Sequence, residues 1–419
     1  MPRTLDVYLH HHLAGHLTQD DDGQMSFAYV ESWLNSTAPT PAPLSQSLPL
    51  RQERFTRKEC AGFFGGILPE ANQREMVAKN LGISARNDFA MLEQIGGECA
   101  GAVTFMPAGQ PLPARDDKYR ELSDKELSDM LKTLPKRPLL AGEKEVRLSL
   151  AGAQEKVAVK LSGNKISIPL DGGLSTHILK PASEHFPGLV LNEALCLDLA
   201  RAIGLSTAGV EARNIDGIDY ILVKRYDRIV VRTGGSEHYQ RLHQEDFCQA
   251  LGIVSERKYQ AEGGPSLKQC FDLLREVSAA PVIDLQRLLD ATIFNFLIGN
   301  YDAHGKNFSI VYNSTPSGYD ARLSALYDLV CTVYYPELSK KMSMKIGGEY
   351  LTERVSKRDF EKLADEAGLA RPLVKRRVPE LASAVRESLK TAPIKDRVAA
   401  EVAKLIEQRS SEIIDRFAR

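Results

Sequence analysis

The chain has no Cys-x-x-Cys pair, no uncharged stretch of membrane-spanning length and almost no net charge. Its six cysteines, at positions 60, 99, 196, 248, 270 and 331, are scattered, and several lie in apolar runs such as Leu195-Cys196-Leu197. That distribution argues against a paired-thiol site and predicts buried, reduced thiols. The N-terminus reaches Asp6 without an apolar core of signal length, so the expectation is a cytoplasmic protein that does not enter a membrane. A formal net charge of -1 argues against coating nucleic acid through the overall field, although a local basic patch escapes that measure. No internal repeat is evident. His10-His11-His12 is not read as a metal site, because neighbours in an extended segment point to opposite faces.

With 43% hydrophobic and 26% charged residues, the composition is that of an ordinary soluble globular protein. A length of 419 residues exceeds what one core usually supports, so two or three packed subdomains are expected. Leu5, Val7 and Leu9 alternate as an opening strand, with Gly15 at a turn to a second; 37–43 is a proline-rich surface loop by composition. Residues 1–107 read as a small α+β subdomain and 108–140 as a connector carrying a helix over 124–134. Short strands then cluster at 146–150, 157–161, 177–179 and 220–223. Leu195, Leu199 and Ile203 mark a helix among them, with Gly204 as its C-cap. From Gln244 the pattern is mainly helical, including one helix with Leu285, Leu288, Leu289, Thr292 and Phe296 on a face and its end near Gly299. Strands around one helix followed by a helical half is the order of an α+β, bilobal kinase-like fold, with lobes at 141–235 and 236–419.

The chemistry centres on Gly299-Asn300-Tyr301-Asp302-Ala303-His304-Gly305-Lys306-Asn307. A hydroxyl attacking a phosphoryl group needs a carboxylate to take its proton, and Mg²⁺ on the phosphates needs hard oxygen ligands. Asp302 suits the first task and Asn307 the second. Upstream, Ser149-Leu150-Ala151-Gly152-Ala153-Gln154-Glu155-Lys156 is a turn of small residues whose amides could approach phosphate, although its single glycine makes it neither a Walker loop nor an ordinary kinase glycine loop. Lys180 closes a strand, as a phosphate-binding lysine does, and Glu193 opens the next helix as its candidate partner. Lys224-Arg225-Tyr226-Asp227 follows a strand as a nucleotide-holding hinge would, with Tyr226 offering a flat face to the base. Asp328 is the candidate second metal ligand. Each has a bland alternative: a hairpin, a strand-edge lysine, a glutamate on a helix dipole, a solvated strand end, a turn aspartate. The six in this order point to a kinase.

With those residues the chain resembles the HipA family, the serine/threonine-kinase toxins of bacterial type II toxin–antitoxin modules. The match rests on 149–156, on His177 to Pro181, on Lys224 to Asp227, on Asn300 to Asn307 and on Tyr327-Asp328; Phe64-Gly65-Gly66-Ile67-Leu68-Pro69-Glu70 resembles the family's N-terminal subdomain. The resemblance implies ATP and Mg²⁺ as cofactors, Asp302 as base, and Asn307 and Asp328 on the metal. It also implies nucleotide contacts from Ala151, Gly152, Ala153, Gln154, Glu155, Lys156, Lys180, Glu193, Lys224, Arg225, Tyr226, His304, Gly305 and Lys306. It further implies autophosphorylation of Ser149, which switches such enzymes off by displacing the phosphate-binding loop. The implied partners are a helix-turn-helix antitoxin, HipB, operator DNA held mainly through that antitoxin, and a protein substrate such as an aminoacyl-tRNA synthetase. Lys224 departs from the family pattern, where an acid is expected, and this weakens a side-chain role there. The cluster Lys375-Arg376-Arg377 is a DNA-contact candidate by the same likeness, with a solvated helix face as its alternative. Two other readings stay open, a lipid or small-molecule kinase with the same Asp-x-His-x-x-Asn pattern and a non-catalytic nucleotide-binding corepressor.

Overall fold

The computed structural model describes residues 2–37, 40–113, 118–233, 236–315 and 318–418. The chain divides into two compact units, one of 1–181, 213–256 and 311–320, the other of 182–212, 257–310 and 321–419.

The first unit opens with an antiparallel sheet ordered Met25–Tyr29, His12–Gln19, Arg3–Leu9, Val103–Pro107. Leu5, Val7 and Leu9 are fully buried, as their alternation requires. The turn between the first two strands falls at His10, which takes the left-handed φ of 56°, and not at Gly15. Gly15 lies inside the second strand, where a side chain would meet the Phe27 ring at 2.5 Å and only glycine fits. Of the loop expected at the surface, Ala38 and Pro39 lie outside the described residues, while Ala42 and the following Leu44 are buried. Their backbone is satisfied inside the unit: Trp33 Nε1 donates to the Ala42 carbonyl (3.1 Å) and the Leu44 amide to Tyr29 Oη (2.8 Å).

The second sheet runs Tyr119–Glu121, Lys165–Pro169, Val157–Ser162, His177–Pro181, Ile218–Lys224, Val210–Ile215, and its first five strands are antiparallel at each step. Three of these strands, Tyr119–Glu121, Lys165–Pro169 and Val210–Ile215, are absent from the sequence reading. Residues 146–150 form one isolated bridge, Leu148 to Glu98, and not a strand, so the phosphate-loop candidate does not follow a strand as expected. The 124–134 helix is observed as Asp124–Thr133, started by a capping box between Ser123 and Glu126.

The second unit is mainly helical. Leu189–Ala202 ends one residue before the expected C-cap, on Ile203, with Gly204 following at φ 87°. Pro281–Ile298 begins with proline in its first turn and stops on Gly299 in the left-handed region, φ 69°. Leu267–Val277, Lys357–Glu366, Arg371–Thr391 and Arg397–Ala418 complete the described α-helices of this unit. Asp284 is a fully buried brace, taking bonds from Ser278, Arg287, Arg322 and the Leu323 amide. All six cysteines are buried and reduced. No described helix is long and apolar enough to cross a membrane.

Candidate functional site

The second unit builds the Asp302 loop on the end of Pro281–Ile298. Gly299 is the required residue at this corner: its φ is left-handed, and a Cβ would stand 2.6 Å from Val333 Cγ1. Arg409 caps the same helix end, donating to the carbonyls of Phe296 (2.9 Å) and Leu297 (3.2 Å), where a cation also complements the helix dipole. Gly299→Ala is therefore expected to destabilise the protein by about 1–3 kcal/mol through backbone strain and overpacking, read as a lowered thermal midpoint.

Beyond that corner the loop is held at nearly every residue. Thr332 Oγ1 accepts the Tyr301 amide (2.7 Å) and donates to the Gly299 carbonyl (2.9 Å). Ser343 donates both its amide (2.8 Å) and its hydroxyl (2.7 Å) to the Tyr301 carbonyl. Asn300 is the organiser that sequence reasoning passed over. Its Oδ1 accepts the Asp302 amide (3.2 Å), and its Nδ2 donates to Asn295 Oδ1 (2.8 Å) and to the Asp328 carbonyl (3.3 Å). It thus ties the predicted base to the predicted second metal ligand.

The Asp302 carboxylate is exposed, as a group that meets a substrate must be. Its own carbonyl accepts the His304 amide (2.8 Å) and Asn307 Nδ2 (3.2 Å), a tight turn that brings Asn307 back against Asp302. Tyr327, next to Asp328, donates to the Lys306 carbonyl (2.8 Å). Asp328 adopts φ 54°, uncommon outside glycine, and such strain concentrates at working sites. An amide oxygen and a carboxylate, each tied to one loop, are a donor set that fits Mg²⁺ carried on phosphates. Glu193, 1% exposed, sits on Leu189–Ala202, and the neighbouring Asn192 pins that helix by exchanging two bonds with the Cys331 backbone (2.8 and 3.0 Å).

The first unit carries the other candidates. Gly152 takes φ 104°, its carbonyl accepts the Glu70 amide (3.1 Å), and Glu155 accepts from Gln73 (3.1 Å). Ser149 is fully buried and donates its hydroxyl to the Ile67 carbonyl (3.0 Å). The segment 67–73 therefore clasps the small-residue loop at three points. Lys180 is buried on His177–Pro181, opposite Ile221.

In the hinge candidate, Lys224 is exposed and Tyr226 half-buried, its hydroxyl donating to Gln244 (2.7 Å). Arg225 is different. Its guanidinium binds Asp227 through two nitrogens (2.9 and 2.8 Å), Ser175 (2.8 Å), Glu98 (3.3 Å) and the Cys99 carbonyl (2.9 Å). Arg228 and Arg241 join the same buried cluster, reaching the carbonyls of Cys99, Gly101 and Val103. Burial pushes the Glu98 carboxyl up, but Arg228, Arg241 and Arg225 together outweigh it and hold the group at about 2. The Arg225 side chain is thus committed to a brace, and its backbone is what a hinge contact with a base would use.

The C-terminal basic cluster is paired throughout: Lys375 with Glu361, Arg376 with Glu380 (3.1 Å), and Arg377 with Asp290 through two nitrogens (2.7 and 2.9 Å). Arg377 clamps Arg371–Thr391 to Pro281–Ile298, so of the three it is the one engaged with that helix.

Comparison with known proteins gives the family and the fold. Residues 148–389 match the HipA-like C-terminal domain and residues 5–106 the HipA N-terminal domain. The chain is 46% identical over 393 residues to the proposed kinase Y4mE of Sinorhizobium fredii, covering 92% of this chain and 91% of that protein. It is 30% identical over 397 residues to the serine/threonine-protein kinase toxin HipA of Shewanella oneidensis, covering 90% and 88%. The structure of Shewanella oneidensis HipA with HipB and operator DNA superposes with a TM-score of 0.82 at 27% identity, covering 99% of this chain and 97% of that one. The fold is the α+β, kinase-like fold of HipA.

Proposed function

We propose that this chain, which belongs to the HipA family, is an ATP- and Mg²⁺-dependent serine/threonine-protein kinase and the toxin of a HipBA-type module. The observation that carries the reading is the Asn300 bridge, which binds the Asp302 turn and the Asp328 backbone into one assembly. On this reading 1–107 is the N-terminal subdomain, 108–140 a connector, 141–235 the nucleotide lobe and 236–419 the catalytic lobe.

The proton of the acceptor hydroxyl passes to the Asp302 carboxylate while its oxygen bonds to the γ-phosphorus and the bond to the ADP oxygen breaks. Asn307 and Asp328 would hold Mg²⁺, which neutralises charge on the phosphates. Amides of 151–156 and Lys180 steady the phosphates, Glu193 supports that lysine, and the 224–226 backbone with the Tyr226 ring receives the base. His304, Gly305 and Lys306 shape the turn between base and metal ligand. In the cytoplasm the chain joins a HipB-like helix-turn-helix antitoxin on operator DNA, with Lys375 and Arg376 as its own DNA candidates. Its substrate is a protein, an aminoacyl-tRNA synthetase being the family's example. The partners are suggested by the Shewanella complex, which contains HipA, HipB and operator DNA.

The off-switch has a physical basis in Ser149. A phosphoserine carries about -1.5 to -2 charges and three acceptor oxygens, so it cannot remain fully buried against the Ile67 carbonyl. Its formation should eject the loop. Ser149→Ala should abolish self-inactivation while lowering stability by about 1–2 kcal/mol, because a buried acceptor loses its donor. Phosphopeptide mapping and thermal denaturation check the two halves separately.

Incubating the purified protein with γ-labelled ATP, Mg²⁺ and an antitoxin-free lysate tests the reading. Label on Ser149 or on a lysate protein supports it. Label in lipid or metabolite alone would favour the small-molecule kinase, and no transfer combined with tighter operator binding by the antitoxin would favour the corepressor.

A further inference from the structure

Tyr259 lies 43 residues before Asp302, in an irregular segment that carries no kinase signature, yet its hydroxyl donates to Asp302 Oδ1 at 2.8 Å. Its ring stands edge-on to His304, with centroids 5.4 Å apart and planes at 75°. The same side chain therefore meets both ends of the Asp302-Ala303-His304 turn. Its backbone is fixed as well. The Tyr259 carbonyl accepts the amides of Glu262 (2.9 Å) and Gly264 (2.8 Å), and the adjoining Gln260 accepts the Lys345 amide (2.8 Å). Lys345 lies on Lys341–Ile346, the strand whose Ser343 holds the Tyr301 carbonyl.

We infer that Tyr259 is a positioning residue for the phosphoryl transfer, holding Asp302 by one oxygen so that the other meets the acceptor hydroxyl; this rests on the kinase reading above. The torsion that turns a carboxylate about its last bond is broad, so an exposed aspartate samples many orientations. A charge-assisted bond from a fixed donor narrows that distribution. An ionised carboxylate has about four acceptor sites on two oxygens, so one tyrosine does not exhaust it. Orientation of a base before the reaction is a recognised source of rate, because a misaligned group must reorganise at the moment of transfer.

A tyrosine hydroxyl on the base could instead be a plug standing where the acceptor belongs. The fixed backbone and the His304 contact favour the positioning role, and the two readings predict opposite signs. Tyr259→Phe keeps the ring and its packing while removing only the donor.

The experiment compares full-length wild type, Tyr259→Phe, Asp302→Asn and the double variant. It follows label incorporated into the protein itself from γ-labelled ATP and Mg²⁺, with the thermal midpoint of each variant recorded alongside. Tyr259→Phe should lower the maximal rate about tenfold, the size expected for a hydrogen bond to a charged group, with KM for ATP and the thermal midpoint unchanged. In the Asp302→Asn background the tyrosine substitution should add nothing, since both act through one carboxylate. An unchanged or raised rate in Tyr259→Phe would overturn the inference while leaving the kinase reading intact. So would a loss that appears equally in the Asp302→Asn background, or one explained by a lowered thermal midpoint or weaker ATP binding. If wild type transfers no phosphate, the kinase reading fails and this inference fails with it.

Discussion

Asp302→Asn should lose on the order of a hundredfold or more of phosphoryl transfer while keeping the fold and nucleotide affinity, because a positioned base contributes about 10²–10⁴ to such a rate. The substitution is nearly isosteric. The Asp302 backbone keeps its bonds from His304 and Asn307 and to Asn300. The loss should therefore fall on the maximal rate and not on KM for ATP. Steady-state kinetics with a titrated nucleotide, beside a fluorescent-nucleotide binding curve, separate the two. Activity within threefold of wild type would remove Asp302 from the base's role and turn attention to the other exposed acids of the second unit.

The largest expected effect on stability lies in the first unit. Glu98→Ala should destabilise the protein by about 3–5 kcal/mol, the range found when one member of a buried ion pair is removed. Glu98 is 3% exposed and receives Arg228 at 2.8 Å and Arg225 at 3.3 Å, with Arg241 at 3.8 Å. Without it, three buried guanidiniums would share Asp227 and a few carbonyls. Urea denaturation gives the midpoint shift directly.

The same cluster sets an acid limit. Glu98 is held at about 2 against an ordinary 4.5, so the folded state binds fewer protons than the unfolded chain between those values. Asp227 is lowered too: burial raises it, but Arg225 and Arg228 outweigh that burial. A carboxyl depressed in the folded state contributes stability that is complete above its unfolded value and lost as pH falls through the folded one. Stability should therefore be flat with respect to this cluster above pH 4.5 and fall steeply from 4.5 towards 2. In Glu98→Ala the fall should be shallower.

Much of the catalytic loop was legible because its chemistry is local in sequence. Asp302 and Asn307 sit five positions apart, and Gly299 marks the helix end by a conformation that favours glycine. The unread parts are those whose partners are distant. Asn300 stands within the motif, but nothing local marks it as the organiser, since its bonds run to Asn295 and to Asp328, 28 residues on. Tyr259 shows no local pattern at all. The bracing role of the Arg225 side chain is hidden for the opposite reason: a charge following a strand looks solvated, and only the fold reveals Glu98, 127 residues earlier. Two of the missed strands, Tyr119–Glu121 and Lys165–Pro169, are short and carry charges at their ends, so their alternation is too brief to stand out. Residues 146–150 failed in the other direction, because a short apolar run need not pair as a strand.

The two family matches, 5–106 and 148–389, suggest modules that could be cut apart between them. The guanidiniums of Arg225, Arg228 and Arg241 all reach backbone carbonyls within 99–103, and Glu98 sits among them. Severed there, the downstream piece would keep three buried guanidiniums with Asp227 as their one carboxylate and without the carbonyls of 99–103, and the upstream piece a buried anion without cations. The evolutionary boundary is thus not a folding boundary. Calorimetry of the whole chain should find these residues melting in one cooperative transition, and neither fragment should fold without the other.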